Sequence, residues 1–82
     1  MNNKPLSNSS FRKSILDALH HYFETLEGGS IGNVYELVMA EVEQPLLEVV
    51  MHYAKGNQSR AAKWLGLNRG TLRKLLSKYH VE

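Results

Sequence analysis

The chain has 82 residues, enough for one small domain, with a net charge of +2 and no cysteine. The absence of cysteine excludes disulfides and thiolate metal sites, so a second subunit is the expected source of extra buried surface. The histidines show no metal-ligand spacing, no apolar run is long enough to span a membrane, and the polar N-terminus lacks a signal peptide. We therefore expect a cytoplasmic protein without a cofactor.

The charge is distributed unevenly along the chain. Residues 1–53 contain three basic and seven acidic side chains, a net charge of −4, whereas residues 54–82 contain seven basic and one acidic side chain, a net charge of +6. A basic end of this kind suits a polyanionic partner. The alternative is a solvated basic surface without a ligand, and charge alone does not separate the two.

The first ten residues are polar and predict a flexible N-terminal arm. A helix is predicted over residues 11–26, because apolar side chains recur there at steps of three and four residues. This stripe consists of Phe11, Ile15, Leu19, Tyr22 and Leu26. The glycine-rich segment 27–33 ends the helix and matches no phosphate-binding pattern.

A second helix is predicted to begin after Asn33 as its N-cap, with Glu36 as the capping-box partner, and to run to about Ala54. It carries more apolar residues than one face of a monomeric helix requires. The surplus predicts that this helix packs against its own subunit and a second copy, so that residues 11–54 form a two-helix dimerisation core. The predicted dimer interface consists of Val34, Leu37, Val38, Val42, Leu46, Val49 and Val50.

Pro45 falls inside this apolar pattern, where a proline removes a hydrogen bond and costs about 3 kcal/mol. The helix either breaks near Gln44 or continues with a kink. Because the apolar residues keep the same helical phase on both sides of Pro45, we predict a kinked but continuous helix.

Residues 55–82 carry the pattern of two short helices joined by a tight turn. Gly56 suits a left-handed turn, and Asn57 can cap a helix over about residues 58–65. Gly66 follows where a tight turn needs positive φ. This segment therefore has the first helix and the turn of a helix-turn-helix.

A last helix is predicted over about residues 69–79, with Asn68 as its N-cap. Two helices of such a motif cross closely, so the first needs small side chains and the second needs apolar anchors. The small residues are Ala61 and Ala62, and the anchors are Leu72 and Leu76. Leu65 and Leu67 flank Gly66 at the turn. Trp64 is interpreted as a packing residue rather than a base-stacking aromatic.

The outer face of the last helix is basic and polar, which suits entry into the major groove of duplex DNA. Asn68 and Arg69 lie at the helix start, where Arg suits guanine and Asn suits adenine. Asn57, Ser59 and Arg60 lie where the preceding helix crosses the phosphate backbone. The predicted DNA-binding residues are Asn57, Ser59, Arg60, Asn68, Arg69, Thr71, Arg73, Lys74 and Lys78.

Three other interpretations were weighed against DNA binding. A helical hairpin without a ligand explains the small residues and the leucines, but not four basic residues on the outer face of the last helix. A dimeric protein-interaction adaptor would use the second helix and need no DNA. An enzyme is not predicted, because no nucleophile–base constellation or cofactor loop can be placed.

The run Val34–Lys74, VYELVMAEVEQPLLEVVMHYAKGNQSRAAKWLGLNRGTLRK, closely resembles Fis, the factor for inversion stimulation of bacterial nucleoids. Fainter similarity continues back through ALHHYFETL from Ala18, so roughly residues 11–80 are covered. The helix-turn-helix alone also resembles the DNA-binding module of nitrogen-regulator-type activators of sigma-54 promoters. Those modules follow a large ATPase domain, whereas this chain begins at Met1 without one, so the Fis family is the better match.

The resemblance implies an all-α, four-helix subunit with a C-terminal helix-turn-helix, in an intertwined homodimer. It implies a nucleoid-associated protein that bends DNA, regulates transcription and DNA topology, and reads its sites partly through minor-groove shape. The family's DNA contacts fall on Asn57, Ser59, Asn68, Arg69, Thr71, Arg73 and Lys74. A possible RNA polymerase contact falls on His52, Lys55, Gly56 and Gln58, with His52 and Lys55 differing from the family's glutamine and arginine.

Two features depart from the family pattern. Its best-known members carry a longer N-terminal segment that activates a DNA invertase, whereas ten residues precede Phe11 here. The short N-terminal segment therefore argues against a DNA invertase as a partner, whereas duplex DNA is the predicted partner. Leu75 and Ser77 stand where those members tend to have lysines, so fewer phosphate contacts and weaker, less salt-sensitive binding are expected.

Overall fold

A computed structural model of the chain describes residues 9–26 and 32–82. These residues form helices and no strand, which confirms the all-α prediction. The helices are α1 (Ser9–Leu26), α2 (Val34–Tyr53), α3 (Gln58–Leu65) and α4 (Arg69–Tyr79). None of the helices in these two ranges is long and apolar enough to cross a membrane.

The chain divides into two compact units, residues 1–32 and 33–82. In the first unit, α1 begins two residues before the predicted start at Phe11. Of its apolar stripe, Phe11 and Ile15 are exposed, whereas Leu19 and Tyr22 are half-buried. The predicted arm before Ser9 and most of the predicted glycine-rich loop lie outside the described residues.

The second unit begins with α2, which runs without interruption through Pro45. The prediction of a continuous helix is therefore confirmed, but the predicted capping box is wrong. Asn33 has a left-handed backbone (φ 65°, ψ 19°) and its side chain makes no cap hydrogen bond. A capping side chain needs an extended backbone to reach the first free N–H groups. Only the Asn33 carbonyl takes part, accepting from the Leu37 N–H at 3.1 Å.

The C-terminal part of α2 packs against the helix-turn-helix in the second unit. Leu47, Met51 and Ala54 are buried there against α3 and α4. The residues that meet them from the other two helices are Ala61, Ala62, Leu72 and Leu76. The alanines let α3 approach closely and the leucines anchor α4, as the spacing predicts. The helix-turn-helix is thus fixed to the C-terminal half of α2.

Other apolar residues of α2 remain exposed. Leu37, Val42, Leu46 and Val49 are between 43% and 53% exposed. They belong to the predicted dimer stripe, whose other members Val34, Val38 and Val50 are half-buried, with Val50 packed against the core. The structure thus divides the apolar surplus of α2 into one face toward α3 and α4 and one exposed face.

Two glycines make the turns around α3 possible. Gly56 (φ 78°) precedes the helix and Gly66 (φ 74°) follows it, both in the left-handed conformation predicted for them. Asn57 caps α3 as expected, with its Oδ1 accepting from the Arg60 N–H at 3.0 Å. These local signals place α3 at the residues predicted for it.

Candidate nucleic-acid interface

The start of α4 is fixed by a side-chain cap. Asn68 has an extended backbone, and its Oδ1 accepts hydrogen bonds from the Gly70 N–H at 2.7 Å and the Thr71 N–H at 3.2 Å. Its own carbonyl accepts from the Leu72 N–H at 3.0 Å. The predicted cap is confirmed, and it holds the first turn of α4 in a defined geometry.

The exposed side of α4 carries the predicted DNA-binding residues of that helix. Leu72 and Leu76 are buried in the core, Leu75 and Tyr79 are half-buried, and the other residues of α4 are exposed. The exposed predicted residues are Asn68, Arg69, Thr71, Arg73, Lys74 and Lys78. An outer face with this exposure and sign of charge can enter a groove of duplex DNA.

Two positions where the family pattern has lysine fall on different sides of α4. Ser77 is exposed, whereas Leu75 is half-buried and packs against the core of the second unit. The substitution to leucine therefore adds apolar contact at the base of the helix, and the serine leaves an uncharged position on its surface.

The start of α3 presents a second group of polar residues in the same unit. Asn57, Ser59 and Arg60 are exposed there, as their predicted role requires. Lys63 is also exposed on α3 and was absent from the predicted set, although its charge and its spacing of four residues from Ser59 could have indicated it. Lys63 therefore adds one more cation to this side of the unit.

Trp64 corrects one expectation from the sequence. Its side chain is 56% exposed, so its interpretation as a packing residue of the helix-turn-helix is wrong. Ala61 and Ala62 occupy the side of α3 that meets α2 and α4, and Leu65 packs beside them. Trp64 lies between these inward positions in sequence, but its side chain remains largely in solvent.

The cations of α3 and α4 are not neutralised by carboxylates. The ion pair found in the described part of the chain joins Lys13 to Asp17 on α1, at 3.8 Å. The Lys78 ammonium lies 5.2 Å from the centre of the Tyr79 ring, a cation–π contact at the far end of α4. The charges of the remaining lysines and arginines are therefore available to a polyanion.

The last turn of α4 is tied to α2 by one side-chain hydrogen bond. The Tyr79 hydroxyl donates to the Glu43 carboxylate at 2.6 Å. This bond, helped by partial burial of the phenol, raises the pKa of Tyr79 above its usual value of 10.0. The cap at Asn68 and this bond fix the two ends of the helix.

The residues of the possible RNA polymerase contact lie on and beside the turn between α2 and α3. His52, Lys55 and Gly56 are exposed, and Gln58 is half-buried. Lys55 adopts a left-handed backbone with φ 55°, directly before Gly56. The four residues thus lie around the turn that joins α2 to α3.

The close crossing of α3 and α4, with a capped, exposed and basic second helix, defines a helix-turn-helix protein. Residues 38–79 match the family described as bacterial regulatory protein, Fis family. The chain is 59% identical over 68 residues to the DNA-binding protein Fis of Proteus mirabilis, of Escherichia coli O1:K1 and of Yersinia pestis. Each match covers 83% of this chain and 69% of the relative. The chain therefore belongs to the Fis family, as the resemblance predicted.

Proposed function

We propose that this chain binds and bends duplex DNA as a homodimer and acts as a nucleoid-associated regulator of transcription and DNA topology. The observation that carries the proposal is the outer face of α4, where Arg69, Arg73 and Lys74 are exposed without a carboxylate partner. Proteins that neutralise phosphates with such residues gain affinity by releasing counterions from DNA. The relatives are themselves named DNA-binding proteins.

The homodimer is supported by the exposed face of α2. Val42, Leu46 and Val49, at steps of four and three residues, form an exposed apolar stripe on α2, and Leu37 is exposed nearer the start of the helix. Full burial of each such side chain contributes about 1.5–3 kcal/mol. A second copy brings an identical stripe, and a twofold interface is self-complementary by construction. We therefore propose that α2 forms the dimer contact, within the predicted dimerisation core of residues 11–54.

We assign a separate role in DNA binding to each helix of the helix-turn-helix. Arg69, in the first turn of α4, reads a guanine through paired hydrogen bonds. Thr71, Arg73, Lys74 and Lys78 contact phosphates or base edges along the groove. Asn57, Ser59 and Arg60 hold the neighbouring phosphates at the start of α3, where the helix dipole favours negative charge.

Bending follows from the pairing of two readers in one dimer. When two recognition helices are held at a fixed spacing that differs from one turn of straight duplex, the DNA bends to meet both. We propose the turn that includes His52, Lys55 and Gly56 as the surface for RNA polymerase, because these residues are exposed beside the helix-turn-helix. Circular-permutation gel shifts test bending, and mobility independent of the site's position would contradict it.

The division of roles is tested with Arg69→Ala and Lys74→Ala. Arg69→Ala should abolish the preference for a selected site over random duplex, whereas Lys74→Ala should weaken both alike and reduce the salt slope by about 1. Lys13→Ala on α1 removes the same charge outside the reader and should change neither. Equal loss of preference in both reader variants would contradict the assignment.

Two alternatives make different predictions. A dimeric protein-interaction adaptor would give no DNA shift even at low salt, which would contradict the proposed function. The sigma-54 activator module shares the helix-turn-helix alone, whereas the similarity to the Fis relatives extends over 68 residues, beyond the matched family segment 38–79. That extension favours the Fis proteins as the guide to function.

A further inference from the structure

We propose that Asn68 contacts DNA only as a hydrogen-bond donor and therefore does not read adenine. The inference rests on the proposed DNA binding and concerns one side chain of that interface. The Asn68 Oδ1 accepts from two backbone N–H groups, those of Gly70 and Thr71, at 2.7 and 3.2 Å. A carbonyl oxygen has two lone pairs, so both are used within the protein.

The cap also fixes which end of the amide faces outward. Two backbone N–H groups can be satisfied only by the oxygen of the Asn68 carboxamide, so its nitrogen points away from the first turn of α4. Asn68 is exposed, and its NH2 group supplies two donors. The first turn of the recognition helix thus presents an amide donor at a fixed position next to Arg69.

Adenine recognition by asparagine needs both halves of the amide. The oxygen must accept from the 6-amino group while the nitrogen donates to N7. With Oδ1 occupied by the cap, Asn68 can donate to a purine N7 or to a phosphate oxygen, and N7 is common to adenine and guanine. Asn68 therefore adds affinity without separating the two purines, and the choice of base falls to Arg69.

Gly70 is a positioning residue for this arrangement. A Cβ atom added at Gly70 would lie 3.1 Å from the Asn68 Oδ1. The oxygen cannot move away easily, because it is held by two hydrogen bonds. The missing side chain at residue 70 thus lets the amide serve as cap and as outward donor at the same time.

The first test replaces each adenine of a bound site, one at a time, by 2-aminopurine, which keeps N7 and lacks the 6-amino group. The affinities of the parent protein and of Asn68→Ala should fall by the same factor at every position. An adenine whose replacement weakens the parent about tenfold but leaves Asn68→Ala unaffected would overturn the inference, because that loss is typical of a broken bidentate contact. Replacement by 7-deazapurines then separates N7 from phosphate as the acceptor.

The second test uses Asn68→Asp, which keeps the capping oxygen and removes the donors. Asp caps a helix as well as Asn, so the thermal midpoint should not fall, whereas DNA affinity should fall at least about tenfold. Asn33→Asp adds the same charge at a position that makes no side-chain cap, and should bind nearly as the parent does. Unchanged affinity in Asn68→Asp would overturn the donor role.

The role of Gly70 is tested by a double-mutant cycle. Gly70→Ala should weaken binding severalfold in the parent background and have no further effect in Asn68→Ala, because the two residues act through one oxygen. Equal losses in both backgrounds would show that Gly70 acts independently of the cap. Failure of the unmodified protein to shift any duplex would contradict the proposed function itself, whereas the outcomes above concern Asn68 alone.

Discussion

The Tyr79 hydroxyl and the Glu43 carboxylate, 36 residues apart in sequence, share a 2.6 Å hydrogen bond that joins the last turn of α4 to the middle of α2. Helix α4 carries the DNA-reading surface and α2 carries the exposed apolar stripe assigned to the dimer. The bond therefore fixes the orientation of the helix-turn-helix relative to the α2 surface through which two subunits would pair.

Tyr79→Phe should lower the thermal midpoint and weaken DNA binding, because it removes the hydroxyl and leaves the ring packed against the core. Circular dichroism melts and gel shifts measure the two effects. Tyr35→Phe makes the same change on a side chain that is 78% exposed and should alter neither. A Tyr79→Phe protein with the thermal midpoint and DNA affinity of the parent would show that this hydrogen bond does not orient α4.

Alkaline pH should remove the contribution of this bond. The pKa of Tyr79 is raised above 10.0, first by the hydrogen bond to Glu43 and then by partial burial, so the folded state holds the phenolic proton more tightly than the unfolded state. The stabilisation is fully present below pH 10.0 and is lost as the pH rises through the higher folded-state pKa. The free energies of unfolding of the parent and of Tyr79→Phe, measured with urea, should therefore become equal above this pH. A difference between the two proteins that is the same at every pH would contradict the assignment.

Leu46→Glu should dissociate the proposed dimer. Leu46 is 47% exposed in the subunit, so a dimer can bury about half of its side chain, roughly 0.7–1.5 kcal/mol in each of two copies, and its loss raises the dimer dissociation constant about tenfold or more. Sedimentation velocity over a concentration series measures it. Gln44→Glu introduces the same charge on an exposed polar position of α2 and should remain dimeric. A dimer of unchanged affinity in Leu46→Glu would place the interface elsewhere.

His80→Gly should stabilise the protein by up to about 1 kcal/mol. His80 ends α4 in a left-handed conformation, with φ 55° and ψ 43°, which strains any residue with a Cβ atom. His52→Gly makes the same change inside α2 and should destabilise by about 1 kcal/mol, because glycine is a poor helix former. Urea midpoints at one fixed protein concentration compare the variants. A less stable His80→Gly protein would show that the imidazole makes contacts that outweigh the strain.

The helix-turn-helix could be predicted to the residue because its signals are local. Asn57 and Asn68 cap helices by reaching groups two or three residues away, and Gly66 supplies a backbone that the sequence itself identifies. The predicted cap at Asn33 is wrong because its backbone is left-handed rather than extended. A capping pattern in the sequence does not specify that conformation.

The orientation of side chains around the helices could be predicted less well. Apolar periodicity indicated that α2 has more apolar residues than one face requires. Which of them contact the helix-turn-helix depends on where α3 packs. The structure assigns that contact to Leu47 and Met51, which do not belong to the predicted dimer interface. Trp64 was misplaced for the same reason. Likewise, the sequence allowed Asn68 to be both cap and base reader, and only the two distances from its Oδ1 show how the amide is divided.

Helix α2 continues unbroken through Pro45, so the number of residues in it sets the rotation of the helix-turn-helix about the α2 axis. One α-helical residue turns the axis by about 100° and advances it by about 1.5 Å. An extra residue inserted between Val42 and Glu43 would leave the fold of residues 43–82 intact, including the Tyr79–Glu43 hydrogen bond, yet turn it around the axis of the first turns of α2. Two such readers would each retain their chemistry while no longer facing the same side of the duplex.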